Sequence, residues 1–237
     1  MNGGLATLSG RLAGVRERIA AAARRSDRAP DAVRLVAVTK TVPPDVVAQV
    51  VALGVRDLGE NRVQEADRKI QEVGRTAPDG APLHWHLIGH LQRNKAGRAV
   101  ELFDRIHGVD GLEVAEALSR RAASAGRRPR ILIEVNVSGE ASKFGVAPEA
   151  LPELLESVSA LTGLELEGLM TVGPPVREPG ESRPHFARLR NLRDAAEVRL
   201  HRKLPELSMG MSGDFEVAVE EGATLVRVGS ALFGARG

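Results

Sequence analysis

"RLVAVTKTVPPDVVAQVVAL" (residues 34–53) holds both halves of one structural unit. Leu35 to Thr39 form an unbroken run of β-branched and small apolar residues without alternation, the pattern of a strand covered on both faces. Lys40 and the pair Pro43-Pro44 end the run. Val46, Val47, Val50, Val51 and Leu53 then recur at helical spacing. Strand, turn and amphipathic helix in so short a stretch make a βα unit, and its strand finishes, oddly, in an ammonium group.

The unit returns along the chain. "RLVAVT" (34–39), "VRDLG" (55–59), "HWHLIG" (84–89), "RIHGV" (105–109), "RILIEVNV" (130–137), "LELEGLMT" (164–171), "ELSM" (206–209) and "TLVRVG" (224–229) read as strands. Segments with helical spacing lie between them, such as Leu151, Leu154, Leu155 and Val158. Such alternation requires a mostly parallel sheet with helices outside, and eight units in 237 residues predict a single α/β domain over residues 1–237, a TIM-type (β/α)8 barrel. An open doubly wound sheet would open on a Gly-rich first turn, and here that turn is Lys-Thr-Val-Pro-Pro. An extra N-terminal helix is predicted from Leu5, Leu8, Leu12, Val15 and Ile19, ending at "RRSDRAPD" (24–31). "GPPVREPGESRP" (173–184) reads as a long rim loop.

Composition narrows the chemistry. With 33 Lys+Arg against 31 Asp+Glu the charge is close to neutral, so nucleic acid is not demanded. No cysteine is present, which removes disulfides, thiolate nucleophiles and thiolate metal sites. No run of about 18 apolar residues occurs, so a cytoplasmic protein off the membrane is expected. Tyrosine is absent, and with it one group of acid–base options.

In a barrel of this kind chemistry gathers where strands run into the following helices. Lys40 stands at the first such end. Burial there lowers an amine's pKa and frees it to attack a carbonyl, whereas an ammonium that snorkels to the rim would do nothing. "MSGD" (211–214) and "GSALFG" (229–234) each put Ser and Gly after a strand, where bare N–H groups and a hydroxyl can hold a phosphate. Arg227 shares a face with Gly229 and points inward; it meets either an anion or ring acceptor in the mouth or an inward carboxylate such as Glu134. His84, His86 and His90 have no carboxylate or cysteine in their segment to complete a metal site. The runs "RR" (24–25) and "GRRPR" (126–130) read as solvated loop charge.

A phosphate cradle, a reactive lysine and an inward arginine suit a phosphorylated aldehyde such as pyridoxal 5′-phosphate. With "LVAVTKT", "LGENRVQE", "WHLIGHLQRNK", "VNVSGEASKFG", "GLMTVG", "LSMGMSGDFEVAV" and "RVGSALFG" in order, the chain resembles the YggS/PROSC family of pyridoxal-phosphate-binding, or homeostasis, proteins from about residue 5 to 236. The resemblance implies the barrel of bacterial alanine racemase with the cofactor held as a Schiff base (aldimine) on Lys40. It places Ser212, Gly213, Gly229 and Ser230 at the phosphate, Arg227 opposite the pyridine nitrogen, and Asn61, His86, Asn136 and Met170 around the ring. It also gives Lys143 of "SGEASKFG" a part in passing the cofactor on. A guanidinium cannot accept a hydrogen bond, so the nitrogen stays neutral and carbanion chemistry is discouraged. The related racemases take a tyrosine base from a second domain of a partner subunit, which this sequence does not contain. The implied role is therefore cofactor homeostasis, supplying PLP-dependent apoenzymes, by a monomer without dedicated catalysis. The alternatives are a weak amino-acid racemase of PLP fold type III and an aldolase-like Schiff-base lyase.

Overall fold

The computed structural model describes residues 2–140, 143–174 and 176–234. In it the eight strand segments pair in chain order and close on themselves. They are β1 (Arg34–Val38), β2 (Asp57–Glu60), β3 (His84–Leu87), β4 (Arg105–Val109), β5 (Arg130–Glu134), β6 (Glu165–Met170), β7 (Glu206–Ser208) and β8 (Leu225–Val228). Every neighbour is parallel, and β1 lies against β8 with Val36 opposite Arg227. The expected (β/α)8 barrel is the observed fold.

Helices α2 (Pro44–Ala52), α3 (Val63–Val73), α4 (Ala96–Leu102), α5 (Leu112–Ser124), α6 (Leu151–Ser159), α7 (Arg183–Leu200), α8 (Phe215–Glu220) and α9 (Ser230–Phe233) follow the strands. Pro44 occupies the first turn of α2, where a missing N–H costs nothing, and Val47, Val50 and Val51 face the sheet. The outward side chains of the strands, including Leu58, Trp85, Ile106 and Val226, join the helices in the main core. Inside the barrel Val36, Val38, Ile88, Leu132, Met170 and Leu225 form a separate apolar girdle. Beneath the girdle, at the strands' N-terminal ends, charge is paired: Arg105 meets Glu167 at 2.6 Å and Glu206 at 3.5 Å, and Arg34 meets Glu206.

Helix α1 (Asn2–Arg25) precedes the barrel. Leu8, Leu12, Val15 and Ile19 are buried as the spacing predicts; the side chain of Leu5 lies outside the described residues. The helix packs against α8 and α9, with a two-bond fork from Arg18 to Glu216 (2.7 and 2.8 Å) and a bond from Arg11 Nε to the Leu232 carbonyl at 2.7 Å. The rim segment 173–184 is shorter as a loop than its composition suggests. Pro179–Ser182 form a 3-10 turn leading into α7, because buried Ser182 donates to Asp214 Oδ2 at 3.0 Å; residue 175 is outside the described chain. Among the described residues no helix is long and apolar enough to cross a membrane.

Candidate functional site

Lys40 follows β1 in a turn. Since Val36 and Val38 face the barrel interior, Lys40 takes the next inward position, at the mouth. Its two chain neighbours are clamped from outside. Thr39 Oγ1 donates to Glu60 Oε1 at 2.6 Å, and Lys69 Nζ, on α3, donates to Glu60 Oε1 and the Thr39 carbonyl, both at 2.6 Å. The Thr41 N–H donates to Glu65, which accepts from Lys69 one turn further on (3.2 Å). Thr41 has φ of 61°, a left-handed conformation that a β-branched residue adopts only when its surroundings impose it. Burial pushes the Glu60 carboxyl up, against the pull of Lys69 and Thr39. Burial also pushes on Glu65, but the Thr41 N–H and Lys69 outweigh it and hold that carboxyl low.

The last strand, β8, is the neighbour of β1, and β7 lies on its other side. Ser212 Oγ accepts the N–H groups of Gly229 and Ala231, each at 3.2 Å, so the two loops are tied by one hydroxyl. Among the described hydrogen bonds none uses the Ser230 N–H, and Ser230 is exposed. Asp214 fixes the turn that carries Ser212 and Gly213 by accepting the Met211 N–H at 2.7 Å. With its oxygen accepting those two N–H groups, Ser212 keeps its own O–H to donate, and that proton and the Ser230 N–H are the donors this corner can offer an oxyanion such as phosphate.

Arg227 is buried, and burial lowers its guanidinium to about 10 against the charges of Glu134 and Asp214. It does not ion-pair with Glu134 among the described residues. It donates instead to Ser208 Oγ at 2.6 Å and to the Thr171 carbonyl at 2.8 Å. Ser208 begins a chain across the barrel: Ser208 Oγ to His107 Nδ1 (2.8 Å), His107 Nε2 to His86 Nδ1 (2.9 Å), His86 Nε2 to Asp57 Oδ1 (2.9 Å). Burial lowers both imidazoles, His107 well below its ordinary value with the Arg227 and Arg105 charges adding to the effect, so both are neutral. Burial also pushes Asp57 up, but the hydrogen bond from His86 outweighs it and holds the carboxyl below its ordinary value. An ionised acceptor at one end and an arginine at the other leave a single assignment of protons: every donor points from Arg227 towards Asp57.

His86 lies in the barrel interior between Asp57 and His107. Met170, expected at the ring, belongs to the apolar girdle. Asn136 folds its own loop, accepting the Gly139 N–H at 3.0 Å and donating to the Glu140 carbonyl at 2.9 Å. Lys143 pairs with Glu140 at 2.9 Å; its neighbours 141 and 142 lie outside the described residues. His90 bonds Asp110 at 3.1 Å and stacks on Phe144, ring centroids 4.1 Å apart, so the three histidines of that segment are not brought together. Asn61 lines a groove of about 880 Å³ with Lys69, His90 and Phe144, which flanks the mouth and does not include Lys40 or Ser212. Asp57, His107, Ser208, Glu60 and Lys69 are not among the residues that the sequence singles out. A polar residue two positions from another in an apolar strand, as in Arg105-Ile106-His107, is the signal that points to the interior ones.

The chain matches the family described as alanine racemase, N-terminal domain, over residues 11–237. It is 43% identical over 226 residues to the pyridoxal phosphate homeostasis protein of Aquifex aeolicus, covering 95% of this chain and 97% of that protein. It is 44% identical over 232 residues to that of Pseudomonas aeruginosa, covering 98% and 97%. The structure of PipY from Synechococcus elongatus with PLP bound superposes with a TM-score of 0.83 at 38% identity, covering 96% of this chain and 100% of PipY.

Proposed function

Because this chain belongs to the alanine racemase N-terminal domain family, and within it to the pyridoxal phosphate homeostasis proteins, we propose that it binds pyridoxal 5′-phosphate in the barrel mouth and serves to hold and supply it. What supports this reading is that β1, which runs into Lys40, lies against β8, which runs into the Gly229 turn tied to Ser212, with Arg227 on β8 held by Ser208. When bound, the cofactor supplies an aldehyde that condenses reversibly with an amine and a ring that draws electrons.

The chain's own residues divide the work. Lys40 presents the amine, its backbone fixed through Thr39 and Thr41. Ser212, Gly213, Gly229 and Ser230 receive the phosphate, and Asn61 borders the entrance. Arg227, held by Ser208 and the Thr171 carbonyl, retains donors for the ring nitrogen and offers no acceptor. His86 and Met170 serve by shaping what lies under the ring, and Asn136 by shaping the rim. No tyrosine is present to act as a second acid–base group, which favours a carrier over a dedicated racemase. In this reading the unit is a single domain over residues 1–237 that works inside the cell as a monomer and passes its cofactor to apoenzymes.

Borohydride reduction of the protein mixed with pyridoxal phosphate, followed by peptide mapping, is expected to label Lys40, with the visible absorbance band lost in Lys40→Ala. Label on another residue, or none, rules the reading out. Amino-acid racemisation above roughly 1 s⁻¹, an ordinary enzyme rate, would replace the carrier role with the catalytic one.

A further inference from the structure

The five most exposed large apolar side chains among the described residues are Leu112, Phe144, Val172, Val198 and Met211. Val198 sits in the last turn of α7, away from the mouth. The other four stand on consecutive loops at the mouth end: Leu112 after β4, Phe144 after β5, Val172 after β6 and Met211 after β7. Phe144 is 58% exposed even though it stacks on His90. Charge continues the ring. The groove that flanks the mouth is lined by Arg62, just before α3, by Arg68 on it and by Lys95 after β3, and none of the three is in an ion pair among the described residues. Its acids are Glu72 and Glu65, and Glu65 is already held by Lys69 and the Thr41 N–H. Arginines on the outer helices are matched instead, as Arg18 is to Glu216, Arg98 to Asp67 and Arg199 to Glu156.

Lone apolar side chains on a surface need no explanation, but four on one arc around an opening mark an interface. Going round the barrel, Lys40 follows β1, the cations follow β2 and β3, the apolar arc follows β4 to β7 and the Gly229 turn follows β8, so whatever covers this ring covers the mouth. We propose that the ring is the docking surface for a PLP-dependent apoenzyme, which seats an acidic segment in the groove and rests an apolar edge on Leu112, Phe144, Val172 and Met211. This rests on the reading of the mouth as the pyridoxal phosphate site. A second copy of this chain would bring the same unmatched cations together, and a flat bilayer would bridge the groove of about 880 Å³ rather than fill it. An acceptor protein meets both the charge and the hollow. Docked there, it shortens the cofactor's path. Water adds across the C=N bond to Lys40, returning the amine and the aldehyde, and the freed pyridoxal phosphate passes from one pocket to the next without entering bulk solvent.

The test is reactivation of apo-serine hydroxymethyltransferase, apo-tryptophan synthase and apo-alanine racemase by the loaded protein, with excess pyridoxal phosphate phosphatase present to destroy any cofactor that reaches the solution. Transfer to at least one acceptor is expected to survive the phosphatase, to saturate with acceptor and to slow as salt rises. In Arg68→Glu with Lys95→Glu, and separately in Leu112→Ser with Phe144→Ser, it is expected to fall by about tenfold or more, while the absorbance band and the borohydride label on Lys40 are unchanged. Should a double variant fail to fold, Arg68→Glu or Leu112→Ser alone takes its place. If the phosphatase abolishes transfer to every acceptor, or the variants deliver cofactor as fast as the unaltered protein, the proposal is overturned and the pyridoxal phosphate site stands. Absence of the band and label in the unaltered protein is a separate failure, which removes the site and the proposal with it. A dimer in sedimentation, or flotation with phosphatidylglycerol vesicles, that Leu112→Ser with Phe144→Ser abolishes gives the face to a second copy or to a membrane and overturns the proposal likewise.

Discussion

Lys40, Ser212, Gly229 and Arg227 could be picked out one at a time because each stands at a strand end, where chemistry is expected whatever the neighbours. His86 could not be placed that way. Its partners, Asp57 and His107, sit on β2 and β4, and only closure of the barrel brings the three together. Replacing His107 with leucine strands Ser208 and His86 in the interior, and urea unfolding of the cofactor-free protein is expected to record a loss of about 2–4 kcal/mol, the cost of two orphaned buried groups. Both imidazoles are lowered in the folded state, so the unfolded chain takes up protons first. Their contribution is full above about pH 6.5 and fades as pH falls, by about 1 kcal/mol per pH unit for each. Glu134, buried and with no hydrogen-bond partner for its Oε2 among the described residues, has the opposite sign. Its folded value, about 7, lies above its ordinary 4.5, so stability is present below 4.5 and is lost as pH rises through 7. Glu134→Gln is expected to be more stable than the unaltered protein at pH 8 by about 2–3 kcal/mol, with no advantage at pH 4. An equal difference at both pH values would contradict the buried, partnerless carboxyl.

The secondary elements were more legible than the site. All eight strands lie within two to three residues of their sequence-level limits, because an apolar run that is covered on both faces has few other ways to fold. What composition hid was the pinning of one element by another, as in the clamp from α3 onto the turn after β1. Lys69, 4% exposed, neutralises Glu60 and holds the Thr39 carbonyl, while Glu65 holds Thr41. Spacing along α3 would show Glu65 and Lys69 as an ordinary surface pair. Lys69→Met leaves the buried Glu60 with the Thr39 hydroxyl but without its cation, and denaturant unfolding near neutral pH is expected to show about 3–5 kcal/mol lost, whereas Glu60→Leu with Lys69→Met recovers most of it. If the clamp also aims Lys40, the double variant regains stability but labels more slowly with pyridoxal phosphate and borohydride. Equal labelling would confine the clamp to a structural part.

For the whole molecule, the parallel barrel with its reactive end on one side follows from the strand–helix alternation, and the layered interior does not. Apolar girdle, polar chain and ion-paired base are products of the stagger between strands, which no local pattern encodes. A closed sheet whose first and last strands are hydrogen-bonded is expected to melt as one unit. Pyridoxal phosphate at one hundred times its dissociation constant adds about 2.7 kcal/mol by mass action, seen as a raised midpoint. Lys40→Ala is expected to lose most of that gain, and an undiminished shift would move the binding site elsewhere.

The seat of α1 bears on how the protein is made. Its apolar stripe leaves the ribosome some 190 residues before the surface it covers on α8 and α9. While the intervening strands and helices are made, that stripe has most of its cover still to come, which makes it a handle for chaperones and a hazard for clumping.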